Sequence, residues 1–247
     1  GRSIRPGTSR GDKLMSSSTA THPAARGDEA EAPGLGWIAI LRLGLVQTAL
    51  GAIVVLTTST LNRVKVVELA LTAMLPGALV GLHYAIQALR PRWGYGSDVG
   101  GRRTPWIIGG MAMLALGGTL AALATVLMMS STSGGILLAI AAFTLIGVGV
   151  GAAGTSLLAL LASHVAPRRR AAAATIVWVM MIIGFIVTAG VGGHFLDPFS
   201  PQRLVAVAAA IAAIAFVTAT LAVANIERRA TRPIAEETQA SDAEMRQ

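Results

Sequence analysis

Residues 136–161 read Ile136-Leu137-Leu138-Ala139-Ile140-Ala141-Ala142-Phe143-Thr144-Leu145-Ile146-Gly147-Val148-Gly149-Val150-Gly151-Ala152-Ala153-Gly154-Thr155-Ser156-Leu157-Leu158-Ala159-Leu160-Leu161. No charge interrupts them. Wound as a helix rising 1.5 Å per residue, they span about 39 Å, more than the roughly 30 Å hydrocarbon core of a bilayer. In lipid every backbone N–H and C=O must find its partner inside the protein, so each such run has to be a helix. Five more runs of this kind occur: Ile38–Thr58, Leu69–Leu89, Trp106–Met129, Ala174–Val191 and Leu204–Asn225. The expected fold is therefore all-α and polytopic, with six transmembrane helices. Pro76 falls in the first half of the second run and predicts a kink there.

Composition agrees. Of the 247 residues, 53% are apolar and 13% charged, and mean hydropathy is +0.65. Ordinary soluble domains carry about 25% charged residues. The absence of cysteine excludes a disulfide scaffold. The apolar content excludes disorder over most of the length.

Net charge is +8, from 20 Lys and Arg against 12 Asp and Glu. These charges lie almost wholly between and outside the apolar runs, which is the pattern of membrane orientation and not of nucleic-acid binding. With the N-terminus in the cytoplasm, 16 basic residues fall on the cytoplasmic side. Only Arg63, Lys65 and Arg203 fall opposite, and Arg42 lies inside the first run. Both termini are expected in the cytoplasm. The organisation read from this is a polar tail over 1–36, a transmembrane domain over 37–226 and a second tail over 227–247. Met15, followed by Ser16-Ser17-Ser18-Thr19, reads as a natural start, with 1–14 upstream of it. No cleavable signal peptide is expected, because the first apolar run is too long for one.

The loop after the second run reads Gly94-Tyr95-Gly96-Ser97-Asp98-Val99-Gly100-Gly101-Arg102-Arg103. It resembles the signature loop of the major facilitator superfamily. Gly94, Asp98, Gly101, Arg102 and Arg103 match in type and spacing, and Val99 departs where a basic residue is usual. The resemblance implies a conformational latch, in which Asp98 pairs with a helix end or an arginine. The surrounding residues narrow it. Asn62-Arg63-Val64, Leu82-His83-Tyr84-Ala85, Leu89-Arg90-Pro91 and Gly101-Arg102-Arg103-Thr104-Pro105-Trp106-Ile107 are similar to the bacteriochlorophyll delivery branch, the PucC and LhaA light-harvesting assembly proteins. The similarity covers about residues 35–230. Members of that branch have twelve spans, so six correspond to the N-terminal half of a bundle that works around a central site.

Polar residues inside the runs are the candidate sites. Arg42 lies near one membrane face, where it can snorkel to headgroups or meet a ligand. Gln47 lies deeper and can bond a neighbouring helix. His83 and Gln87, four apart, share a helix face. A neutral imidazole can ligate the magnesium of a chlorophyll-type ring, so His83 is the candidate pigment ligand, weighed against an ordinary helix–helix hydrogen bond. Gly147 and Gly151 form a small-xxx-small pair suited to close helix packing. Met180, Met181, Gly184 and Trp178 suit packing or the lining of a groove. Glu68 is expected to cap the start of the second helix. His194 and Asp197 are too few for a metal site, and none is expected. Ser, His and Asp form no catalytic trio, so no enzyme is expected.

The resemblance implies a bacterial inner (intracytoplasmic) membrane protein of light-harvesting complex assembly, which delivers bacteriochlorophyll or chaperones antenna polypeptides. Its expected partners are membrane lipids, antenna polypeptides, and a second six-helix half or a homo-oligomer. The alternatives are a half-size solute transporter of the same superfamily and a structural subunit of a photosynthetic complex.

Overall fold

The structure is a computed structural model, and it describes residues 34–92 and 102–227. Gly94, Asp98 and Gly101 of the signature loop lie outside the described residues. The regular elements among those described are all helices, with no strand among them. Six helices follow in order: α1 Trp37–Val67, α2 Met74–Gln87, α3 Thr104–Leu127, α4 Thr132–His164, α5 Arg170–Phe195 and α6 Pro201–Val223. All but α2 are long and apolar enough to cross a membrane.

Two helices depart from the sequence reading. The first does not end at Thr58 but runs on to Val67, through a π-helical turn at Leu56–Thr60. Thr57 and Thr58 cause the irregularity: the Thr57 hydroxyl donates to Ile53 O at 2.9 Å and that of Thr58 to Val54 O at 2.7 Å, loosening the regular ladder. Consequently Arg63 and Lys65 are helical, and Lys65 is buried instead of facing solvent in a loop.

The second predicted span, Leu69–Leu89, shortens to the 14 residues of α2. At 1.5 Å per residue α2 is about 21 Å long, short of the bilayer core. Ala70 takes a left-handed φ of 51°, and Leu71 N–H reaches back to Lys65 O at 3.0 Å, so the chain turns there. Pro76 then fixes the start. In a longer helix its ring would strike the carbonyl four residues back, whereas in the first turn its missing N–H costs nothing. The proline opens α2 and does not kink it. Glu68 follows the end of α1 and caps nothing on α2.

The helices are apolar all round, as buried or lipid-facing helices are. Helix α4 packs along both α3 and α2, while α1 packs against α5 and α6, and α6 against α3. Between membrane helices there is no hydrophobic drive, so close packing holds them. The most extensive seam is α3 on α4, where Gly110 and Gly117 of α3 meet Gly149 and Ala142 of α4 backbone to backbone. Gly147 serves a different seam: a Cβ there would sit 2.9 Å from His83 O and from Ile86 Cβ on α2. Gly151 is buried on the same helix.

One end of the bundle carries Arg90, Arg92, Arg102, Arg103 and Arg168–Arg170, and is tied together by polar contacts. The Arg103 guanidinium donates to Ala159 O at 3.1 Å and to the Ser163 hydroxyl, joining α3 to α4. The Glu227 carboxylate, just past α6, accepts from the N–H groups of Arg103 at 2.6 Å and Thr104 at 3.1 Å. A carboxylate on the first N–H groups of a helix satisfies orphan donors and the helix dipole together. Arg42 donates to Leu221 O at 3.2 Å and Ala224 O at 2.6 Å, a cation on the last carbonyls of α6. The first residue of the signature pair, Arg102, is exposed.

Glu227 gives a pH prediction. Burial alone would raise its pKa, but hydrogen bonds from the Thr104 side chain and from the Arg103 and Thr104 backbone, with His164 nearby, outweigh it. The net effect holds the carboxyl below its ordinary 4.5. A depressed folded pKa means the stabilisation is complete above that ordinary value and is lost as pH falls through the lower one. Glu227→Gln is expected to cost about 1 kcal/mol, as loss of a good cap does. Thermal unfolding of both proteins over descending pH checks this: their difference is expected to be constant near neutrality and to vanish in acid.

Candidate functional site

Helices α2 and α5 do not pack closely against one another, and a cleft of about 200 Å³ lies between them, floored by α1 and α4. Its lining includes Gln47 of α1, His83, Tyr84 and Gln87 of α2, Arg90 just beyond, and Met181 of α5. The sequence singled out His83, Gln87 and Gln47 separately, and the fold brings them to one cleft. It does not bring Arg42, which is engaged at the end of α6.

The polar atoms of the cleft have a defined order. Residues 83, 87 and 90 fall on one helical face because three- and four-residue steps stack. The Arg90 guanidinium donates to Gln87 Oε1. A guanidinium has no acceptor, so the atom it meets is the amide oxygen, and this fixes the amide. Gln87 Nε2 then faces His83 Nε2 at 2.7 Å and donates to it. The imidazole proton accordingly sits on Nδ1. That Nδ1 is buried and has no hydrogen-bond partner among the described residues. His83 itself is 1% exposed, and its ring meets Tyr84 edge-on at 4.8 Å.

Gln47 repeats the pattern. Its Nε2 reaches only the Met181 thioether, at 3.2 Å, and its Oε1 is buried with no partner among the described residues. A thioether is a weak acceptor. Whichever way this amide is turned, one of its polar atoms lacks a strong partner. The Thr155 and Ser156 hydroxyls of α4 are likewise buried and unpartnered among the described residues. Native proteins leave few buried polar atoms unpaired, so two in the lining of one cleft call for an explanation.

Sequence reasoning missed Arg90 as part of this site, having counted it as an orientation charge. The spacing 83, 87, 90 was the available signal. It also missed the fully buried Lys65, whose ammonium lies 5.2 Å from the Phe143 ring centroid. Among the described residues no group of His, Asp and Glu could hold a metal ion.

A polytopic, all-helical membrane protein with a largely apolar cleft between two helices, carrying a few polar side chains, is the class these features define. Within it, the chain belongs to the PUCC protein family, whose profile it matches over residues 60–247. It is 61% identical over 204 residues to a Rhodobacter capsulatus protein named bacteriochlorophyll synthase 44.5 kDa chain, covering 83% of this chain and 48% of that one. It is 33% identical over 205 residues to protein PucC of Cereibacter sphaeroides, covering 77% and 44%. With protein PucC of Rhodovulum sulfidophilum the identity is 32% over 203 residues, covering 76% and 44%. The chain thus spans about half the length of the curated relatives it matches. No solved structure matches it.

These comparisons correct one expectation. The sequence, with no catalytic trio, leads to the expectation of a non-enzyme. That reading is overturned by the relative at 61% identity, which carries the name of an enzyme chain. Absence of a Ser–His–Asp trio speaks only to one kind of hydrolysis, and chemistry on a pigment needs no such trio.

Proposed function

We propose that this chain handles bacteriochlorophyll in the membrane of a photosynthetic bacterium and serves the assembly of light-harvesting complexes. Membership of the PUCC protein family over three quarters of the chain carries the reading. The cleft between α2 and α5 supports it, because it joins an apolar lining to a few convergent polar atoms, as ligand sites do. In this account the cleft meets the pigment, and the lipid-facing surfaces meet antenna polypeptides. The signature loop around Asp98 and Arg103 biases which face is open, and the six helices are one half of a larger bundle. Both termini face the cytoplasm, following the distribution of basic residues.

A second reading is favoured by one observation, the name of the 61% identical relative. On it, the protein takes part in making bacteriochlorophyll. Deleting the gene in its host separates the two. The expected result is loss of antenna absorption bands with extractable bacteriochlorophyll still present. Loss of the pigment itself would establish the synthetic reading instead, and an unchanged antenna with unchanged pigment would overturn both.

A further inference from the structure

His83 cannot present a free Nε2 to a metal while Gln87 donates to it. An axial ligand of a chlorophyll-type magnesium needs an unshared ring-nitrogen lone pair. In this cleft the Nε2 lone pair is engaged at 2.7 Å, and Nδ1 carries the proton. Arg90 holds that arrangement, because it fixes which end of the Gln87 amide faces the histidine. The imidazole is therefore set up as a donor. Its donor atom is the one left without a partner among the described residues.

The shape of the cleft agrees. Axial ligation lays the broad face of a macrocycle against the nitrogen. A cleft of about 200 Å³ is smaller than the roughly 300–1,000 Å³ of pockets that enclose a whole ligand. A cleft of that size can take no more than part of a flat ring, and the edges of bacteriochlorins carry keto and ester carbonyls. A carbonyl oxygen is the acceptor that an unpaired N–H requires. Beside it, the Gln47 amide offers a second polar atom held only by the Met181 thioether. Methionine is flexible and adapts to a new neighbour.

We propose that the cleft holds bacteriochlorophyll by its rim, through a hydrogen bond donated by His83 Nδ1–H to a peripheral carbonyl oxygen, with no ligation of the central magnesium. This rests on the pigment-handling reading above and names the contact that such handling uses.

The test uses the full chain in lipid nanodiscs, titrated with bacteriochlorophyll a and with its magnesium-free analogue bacteriopheophytin a. Near-infrared absorption reads binding, and resonance Raman spectroscopy reads the carbonyl stretch. Both pigments are expected to bind with similar affinity, and one carbonyl stretch is expected to move to lower frequency on binding. His83→Phe is expected to weaken both by about tenfold, the scale of one net hydrogen bond, and to abolish the stretch shift. Binding of the magnesium form alone would overturn the proposal in favour of ligation, while leaving pigment handling intact. Equal binding of both pigments with no stretch shift, or with affinity unchanged in His83→Phe, would overturn it too. Binding of neither by the wild-type chain would overturn both the proposal and the pigment-handling reading. The wild-type comparison and the stretch shift need no variant to fold.

Discussion

Gly149→Leu is expected to abolish the folded protein. A Cβ on Gly149 would lie 2.6 Å from Gly110 O, 2.7 Å from Leu114 N and 2.9 Å from Leu114 Cβ. Two of these atoms are backbone, so relief requires α3 and α4 to part. Gly110 makes the reciprocal contact, its Cβ falling 2.9 Å from Gly149 O and 2.6 Å from Ala153 N. Overpacking a core commonly costs about 1–3 kcal/mol even where side chains can yield. Here the backbone would have to yield, along the most extensive of the seams that hold α4, in a medium where packing is the main force between helices. Detergent-solubilised Gly149→Leu should show no monodisperse peak in size-exclusion chromatography. Gly109→Leu is the control, because a Cβ there meets nothing within 4 Å. A monodisperse Gly149→Leu with wild-type thermal stability would contradict the seam.

Lys65→Met is expected to act in the opposite direction. Lys65 has no exposed surface, and its ammonium has no hydrogen-bond partner among the described residues beyond the face of Phe143. Burying an unpaired charge is costly, and replacing it by an apolar side chain of similar length removes that cost, which is expected to stabilise by about 1 kcal/mol or more. For a chain of this size each kcal/mol moves the unfolding temperature by about 2–4 °C. Thermal unfolding in detergent should therefore show a rise of several degrees. A fall would mean that the ammonium is paired, and would redirect attention to which group pairs with it.

Much of this architecture was legible from uninterrupted apolar runs, because lipid enforces helices wherever charge is absent for long enough. The spans of α3, α4 and α6 followed from that rule alone. The first two helices did not. Threonine back-bonding carried α1 past its expected end, and Pro76 with the turn at Ala70 cut α2 short. Which helices meet was not legible either, since helices that are apolar all round show no preferred face. The sequence motif points to Gly147 and Gly151, yet the most extensive seam uses Gly110, Gly117 and Gly149, matched across two helices and invisible to spacing within one. Likewise His83 and Gln87 were legible as a pair by their spacing. The direction of the hydrogen bond between them was not, because it depends on Arg90 fixing an amide.

The central claim is that this chain holds bacteriochlorophyll in the cleft between α2 and α5. Its most direct test is the near-infrared spectrum of the protein purified in mild detergent from pigment-making cells, beside a Trp178→Leu, Met181→Leu double variant that repacks the α5 wall of the cleft. The account predicts a stoichiometric bacteriochlorophyll band that shifts or weakens in the variant. A protein that carries no pigment, or a band indifferent to the variant, would contradict it.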